Sequence, residues 1–216
     1  MLSEEQELLS EEQELLRDND ALLQASRRLD WRFLLPEPEL GRVACIGVDD
    51  PNLAESLRLF GSEATVLEAG RPWEELAPHD VVVLRNPAGG ELAAAVPLLR
   101  PGGWMYVEVD GAGGRRRLLG GRRTARGYAA ALRRLGLVEV QGHLHWPDFH
   151  SCGVIVPLGD ALAVRLALAR RRQNGIARLV ARLAPLLAAC NLLAVVAPSA
   201  SVLARRPARA GEGGSA

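Results

Sequence analysis

Three of the chain's four histidines fall within eight residues, in the run His143-Leu144-His145-Trp146-Pro147-Asp148-Phe149-His150-Ser151-Cys152. On a strand His143 and His145 would share one face. Imidazole titrates near neutral pH, so His145 or His150, helped by Asp148, could take the proton of a hydroxyl or amine acceptor beside Trp146. The same spacing offers two metal ligands, with His150 or Cys152 as a third. A strand exit closed by Trp146-Pro147, with histidines in half-exposed structural positions, is the third reading. We expect no metal. Upstream, residues 111–123 set five arginines among glycines. Guanidinium forks bind phosphate and carboxylate bidentately, so Arg115, Arg116 and Arg117 could orient an anionic acceptor, or the segment is a solvated loop. All 26 basic residues are arginine. Without lysine there is no Schiff-base chemistry and no lysine base, which leaves histidine as the candidate base.

These groups need a scaffold, and a length of 216 residues suits one domain with appendages. Residues 3–16 read Ser-Glu-Glu-Gln-Glu-Leu-Leu twice, with Ser3/Gln6 and Ser10/Gln13 in capping-box spacing and leucine pairs on one stripe. An amphipathic helical extension is expected over 1–35, lying on its own domain or serving a homodimer or a partner protein. From Gly41 the texture alternates between apolar runs and helical patterns, as in a parallel sheet with crossover helices. Strands are expected at 42–47, 64–68, 80–84, 104–109, 137–145, 152–157 and 199–205. Helices are expected at 52–60, 72–76, 91–99, 124–135, 161–172 and 176–190. The α/β domain would span 36–206, with a helical insertion at about 158–195 and a disordered tail over 207–216.

Charge is uneven: −7 over 1–40, −6 over 41–110 and +13 over 111–216. The two halves could compensate each other in the fold, or present a basic face to an anionic partner. Nucleic acid is disfavoured, because no aromatics are interleaved for base stacking. The arginine-rich C-terminal helices leave room for peripheral contact with a membrane. Cys45, Cys152 and Cys190 form no C-x-x-C pair and the N-terminus is acidic, so a cytoplasmic location is expected. Residues 183–204 carry no charge but contain two prolines, and are read as a buried helix running into a buried strand.

Val43-Ala44-Cys45-Ile46-Gly47-Val48-Asp49-Asp50-Pro51 resembles the first motif of class I S-adenosylmethionine-dependent methyltransferases, and Leu98-Leu99-Arg100-Pro101-Gly102-Gly103 resembles their fifth-strand signature. Glu68, about 20 residues past Gly47, matches the acid that binds ribose hydroxyls in that family. Arg85-Asn86-Pro87 weakly resembles the fourth-strand motif of amine-directed members. The resemblance implies a Rossmann-like, doubly wound α/β fold with a mostly parallel sheet. It also implies S-adenosylmethionine as cofactor, held by Gly47, Asp49, Glu68 and Asn86, and methyl transfer to a small or carrier-bound, anionic acceptor. Asp49 and Pro51 stand where the family has glycines, and Cys45 replaces an acid, so the first motif is degenerate. A catalytically degenerate relative serving as a binding or scaffold subunit is the alternative.

Overall fold

Val43–Ile46, Val81–Leu84 and Met105–Val107 are apolar runs too short for helices, and buried strands covered on both faces account for them. The computed structural model describes residues 20, 23, 26–47, 51–68, 73, 76–110, 124–149, 151–169, 175–190 and 192–208. In chain order they form β1 (Arg42–Ile46), α1 (Pro51–Phe60), β2 (Glu63–Leu67), β3 (His79–Arg85), α2 (Gly89–Ala95) and β4 (Leu99–Asp110). There follow α3 (Ala125–Arg134), β5 (Val138–Trp146), β6 (Val154–Pro157), α4 (Ala161–Ala169), α5 (Gly175–Ala189), α6 (Leu193–Val196) and β7 (Ser199–Arg205).

The strands make one sheet in the order β2-β1-β3-β4-β7-β5-β6. β1 to β4 are parallel, while β7 inserts antiparallel between β4 and β5. β5 therefore points with the first four, and β6 closes the edge as its antiparallel partner. Five of the seven strands share one direction, a mostly parallel, Rossmann-like arrangement that gathers their carboxyl ends on one edge. The last strand lies antiparallel within the sheet.

Side chains alternate across each strand, so the core has two layers. On one face Ala44, Ile46, Val82, Leu84, Met105 and Val107 meet α2 and α3 through Leu92, Tyr128 and Leu132. On the other, Val43, Cys45, Val81, Val83 and Tyr106 meet Leu53 and Leu57 of α1 and the N-terminal residues Leu29, Trp31 and Leu35. Leu29 and Leu35 flank a 3-10 turn over Asp30–Leu34, and Trp31 lies within it. The repeats at 3–16 lie outside the described residues.

Two expectations are corrected. The helix expected over 91–99 ends at Ala95, because Pro97 has no N–H to continue the ladder, and the chain tightens into a 3-10 turn over Val96–Leu98. Pro101-Gly102-Gly103 then lies inside β4 rather than before it. Gly102 has φ +78°, and a Cβ on Gly103 would come within 2.9 Å of Asp80 O and 3.0 Å of Arg100 O. The glycines thus let β4 irregularly approach β3, where the register shifts between His79 and Val81. Of the helix expected over 72–76, only Trp73 and Leu76 are described, and neither is helical.

Candidate functional site

The chain leaves β1 through α1 on one face of the sheet and leaves β3 through α2 on the other. The connections therefore diverge above neighbouring strands, which opens a crevice at the carboxyl ends, where open α/β sheets bind ligands. Gly47 ends β1 there with φ +64°. Among the described residues a Cβ at this position would meet nothing closer than Arg85 O at 3.9 Å, and the left-handed backbone asks for glycine. Glu68 follows β2 directly with an exposed side chain, and its carbonyl accepts the Trp73 indole N–H at 3.2 Å. Asn86 follows β3 with φ +47°. Its N–H donates to Glu108 O at 2.9 Å and its Oδ1 accepts the Asp110 N–H at 3.0 Å, which laces the ends of β3 and β4 together. Gly47, Glu68 and Asn86 thus sit on three adjacent strand ends, spanning about 10 Å at the usual inter-strand spacing. Asp49 lies outside the described residues.

This crevice fits the cofactor that the resemblance implies. Among the described residues nothing crowds the backbone at Gly47, and one strand away an exposed carboxylate can accept from a pair of hydroxyls. One departure from the family pattern has a local cause. Pro51 opens α1, a position where its fixed φ suits the helix and its missing N–H breaks no intrahelical bond.

The histidines lie at the same edge but three strands from Asn86, about 14 Å away. His145 is 2 % exposed. Its Nε2 lies 2.8 Å from Ser201 Oγ and 3.4 Å from the Tyr106 hydroxyl, and its Nδ1 lies 3.7 Å from Cys152 Sγ. Phe149 packs against the ring with centroids 4.6 Å apart. Burial, then His143 and Arg28, push its pKa down to about 3, so the ring is neutral at pH 7. The half-exposed structural position read from the sequence is corrected here, since the ring is buried. Both ring nitrogens are engaged inside the protein, because β5 lies within the sheet and the N-terminal segment covers this face. His143 is also buried, with its pKa lowered to about 4 by burial, and its Nδ1 has no hydrogen-bond partner among the described residues. Burial pushes the Cys152 thiol up, so it is no thiolate nucleophile. Asp148 accepts both the Ser151 N–H (2.7 Å) and hydroxyl (2.8 Å), a turn-stabilising arrangement. Trp146 is half-buried at the end of β5. His150 and Arg115, Arg116 and Arg117 lie outside the described residues. Among the described residues, no group of three or more His, Cys, Asp or Glu side chains is arranged to hold a metal.

The sequence reading missed the group that organises this face. Arg28 donates from Nη1 and Nη2 to the two carboxylate oxygens of Glu108 at 2.6 and 2.8 Å, with the two side chains only 4 % and 0 % exposed. The guanidinium also sits 5.4 Å from the Phe149 ring centroid. Beside it Trp31 stacks on Tyr106, centroids 4.0 Å apart and planes 11° off parallel. A legible signal existed: Glu108 interrupts an otherwise apolar strand, and a buried carboxylate needs a cation.

No protein-family model and no curated protein matches this chain. Among solved structures 102 chains match. One is a methyltransferase from Thermotoga maritima, described as a possible histamine N-methyltransferase, at 14 % identity. It is matched over 90 % of this chain and 95 % of that one, with TM-score 0.48. Another is a methyltransferase from Archaeoglobus fulgidus at 13 % identity, covering 86 % and 93 % of the two chains, with TM-score 0.46. A third is Haemonchus contortus phosphoethanolamine N-methyltransferase 2, solved with S-adenosyl-L-methionine, at 12 % identity and TM-score 0.46. The match covers 84 % of this chain and 52 % of that one, about half its length. All three are S-adenosylmethionine-dependent methyltransferases by description or by the ligand they hold.

Proposed function

We propose that the chain is an S-adenosylmethionine-dependent methyltransferase acting on a small or carrier-bound, anionic acceptor in the cytoplasm. The observation that carries this reading is the convergence of Gly47, Glu68 and Asn86 on adjacent strand ends at the crevice where the connections diverge. Gly47 would admit the amino-acid portion of the cofactor against bare backbone, Glu68 would accept from the ribose hydroxyls, and Asn86 would line the wall nearest the reacting methyl. Asp49 would face the cationic groups. The cofactor supplies an electrophilic methyl carried on a sulfonium.

The protein's own work is placement, because holding two reactants at near-attack distance removes most of the entropic barrier to an in-line displacement. Arg115, Arg116 and Arg117 would hold the acceptor's anionic group, with Trp146 as a wall on the β5 side. Of the two histidines expected to act as base, His145 has both nitrogens engaged, so we assign the acceptor proton to His150, with Asp148 shaping the turn that carries it.

A second reading, a catalytically degenerate binding or scaffold subunit, draws on Pro51. Its missing N–H leaves one donor fewer at the start of α1 for the cofactor's carboxylate. Calorimetric titration with S-adenosylmethionine and S-adenosylhomocysteine separates the two. The enzyme reading expects saturable heat that Glu68→Ala weakens about tenfold or more, as loss of a charged hydrogen bond would. Absence of heat with both ligands would sink it in favour of the scaffold.

A further inference from the structure

The helices before the last strand bury one side and leave another apolar. Val164 and Leu168 of α4, Ala184 and Ala188 of α5 and Leu193 of α6 belong to the core. The same helices nevertheless present Leu162 and Leu166, Leu183 and Leu186, and Leu192 and Val196 outward, each roughly half exposed. Each pair is three or four residues apart, so each forms a short stripe along one side of its helix. α4 packs against α5 and α5 against α6, which brings the stripes onto neighbouring elements. Exposed Arg165 lies next to Leu166, and exposed Arg182 next to Leu183.

The charge of this segment has one sign. From residue 161 to 204 the sequence contains six arginines, at 165, 170, 171, 172, 178 and 182, and no Asp or Glu. A solvated protein face ordinarily mixes both signs. Outward aliphatic side chains beside arginines, with Asp160 at the start of α4 accepting the Ala163 N–H at 2.9 Å, match a helix that lies in a lipid headgroup layer, where apolar side chains enter and arginines stay with the phosphates. Spanning is not the mode. No helix among the described residues is long and apolar enough to cross a membrane, and α5 is interrupted by Pro185. A nucleic acid suits the face poorly, since residues 161–206 contain no Phe, Trp or Tyr on which bases could stack.

We propose that the outer face of α4, α5 and α6 is a peripheral docking surface for an anionic membrane. It is independent of the reaction proposed above, and its test reads no methyl transfer. The full chain is sedimented with vesicles of phosphatidylcholine alone, or of phosphatidylcholine with about a third phosphatidylglycerol. Binding to the anionic vesicles is expected to exceed binding to the neutral ones at least tenfold and to fall in high salt. Leu162→Gln with Leu186→Gln, and separately Arg165→Gln with Arg182→Gln, should each reduce it severalfold while circular dichroism and melting temperature stay unchanged. Lack of binding to both vesicles, equal binding to both, or full binding by the leucine variant would overturn the proposal. So would light scattering that shows a dimer lost in the leucine variant, since a second copy would then be the occupant.

Discussion

Replacing Glu108 by Gln keeps the shape of the side chain and removes its charge, which strands the Arg28 guanidinium in a site almost closed to water. Breaking a buried pair from one side costs about 3–5 kcal/mol, because the remaining charge stays desolvated. At about 2–4 °C per kcal/mol for a chain of this length, Glu108→Gln should melt about 6–20 °C below the parent. Arg28→Met should behave alike from the other side. The double replacement Arg28→Met with Glu108→Leu removes both charges and is expected to recover most of the loss, since apolar pairs often replace buried ion pairs without penalty. Urea denaturation followed by tryptophan fluorescence of the parent, Arg28→Met, Glu108→Leu and the double variant gives all four corners of the cycle, with a coupling of several kcal/mol as the expected result. Single variants that each cost under about 1 kcal/mol, the level of an exposed pair, would refute the reasoning. They would mean that the N-terminal segment does not seal Glu108 of β4 from water.

Burial holds His143 at about 4 and His145 at about 3, below the ordinary 6.5, so the unfolded chain takes up protons first as the medium acidifies. Their contribution is whole above about 6.5 and is lost as the pH falls toward 4, on the order of 1 kcal/mol per pH unit per histidine. Urea midpoints at pH 7 and pH 5 should differ accordingly, and His143→Asn with His145→Gln should flatten the dependence; equal slopes would contradict the burial. Gly103→Ala drives a methyl onto three backbone carbonyls of β3 and β4 and should cost about 1–3 kcal/mol in the same assay. Gly90→Ala in α2, where a Cβ meets nothing within 4 Å, should instead stabilise by up to about 1 kcal/mol, and a loss there would count against that helix. Gly47→Ala should cost about 1–2 kcal/mol for its left-handed backbone and weaken cofactor heat, both readable from one preparation.

β1 and β3 were legible because a buried strand is a short unbroken apolar run, and α3 because Thr124 caps it by accepting the Gly127 N–H. The end of the helix before β4 is set by Pro97, inside the range expected for that helix, while Pro-Gly-Gly serves the approach of β4 to β3. In the candidate site, Gly47, Glu68 and Asn86 could be picked out because a turn's chemistry is local to its strand end. His145 could not be placed, since the pattern His-x-His says which side the rings share and not whether the partner on that side is water or Ser201, 56 residues further on.

The sequence by itself determined the element types, the α/β class, the absence of lysine and the one-signed charge of the last helices. Each of these is a property of neighbouring residues or of a count. Only the tertiary structure decided that β7 enters between β4 and β5, that the N-terminal segment roofs their carboxyl ends, and that Arg28, of 26 arginines, answers Glu108. Any of those arginines satisfies a buried carboxylate equally well in a string of letters. The pairing is set by which one the folded backbone carries across eighty positions to within hydrogen-bonding distance.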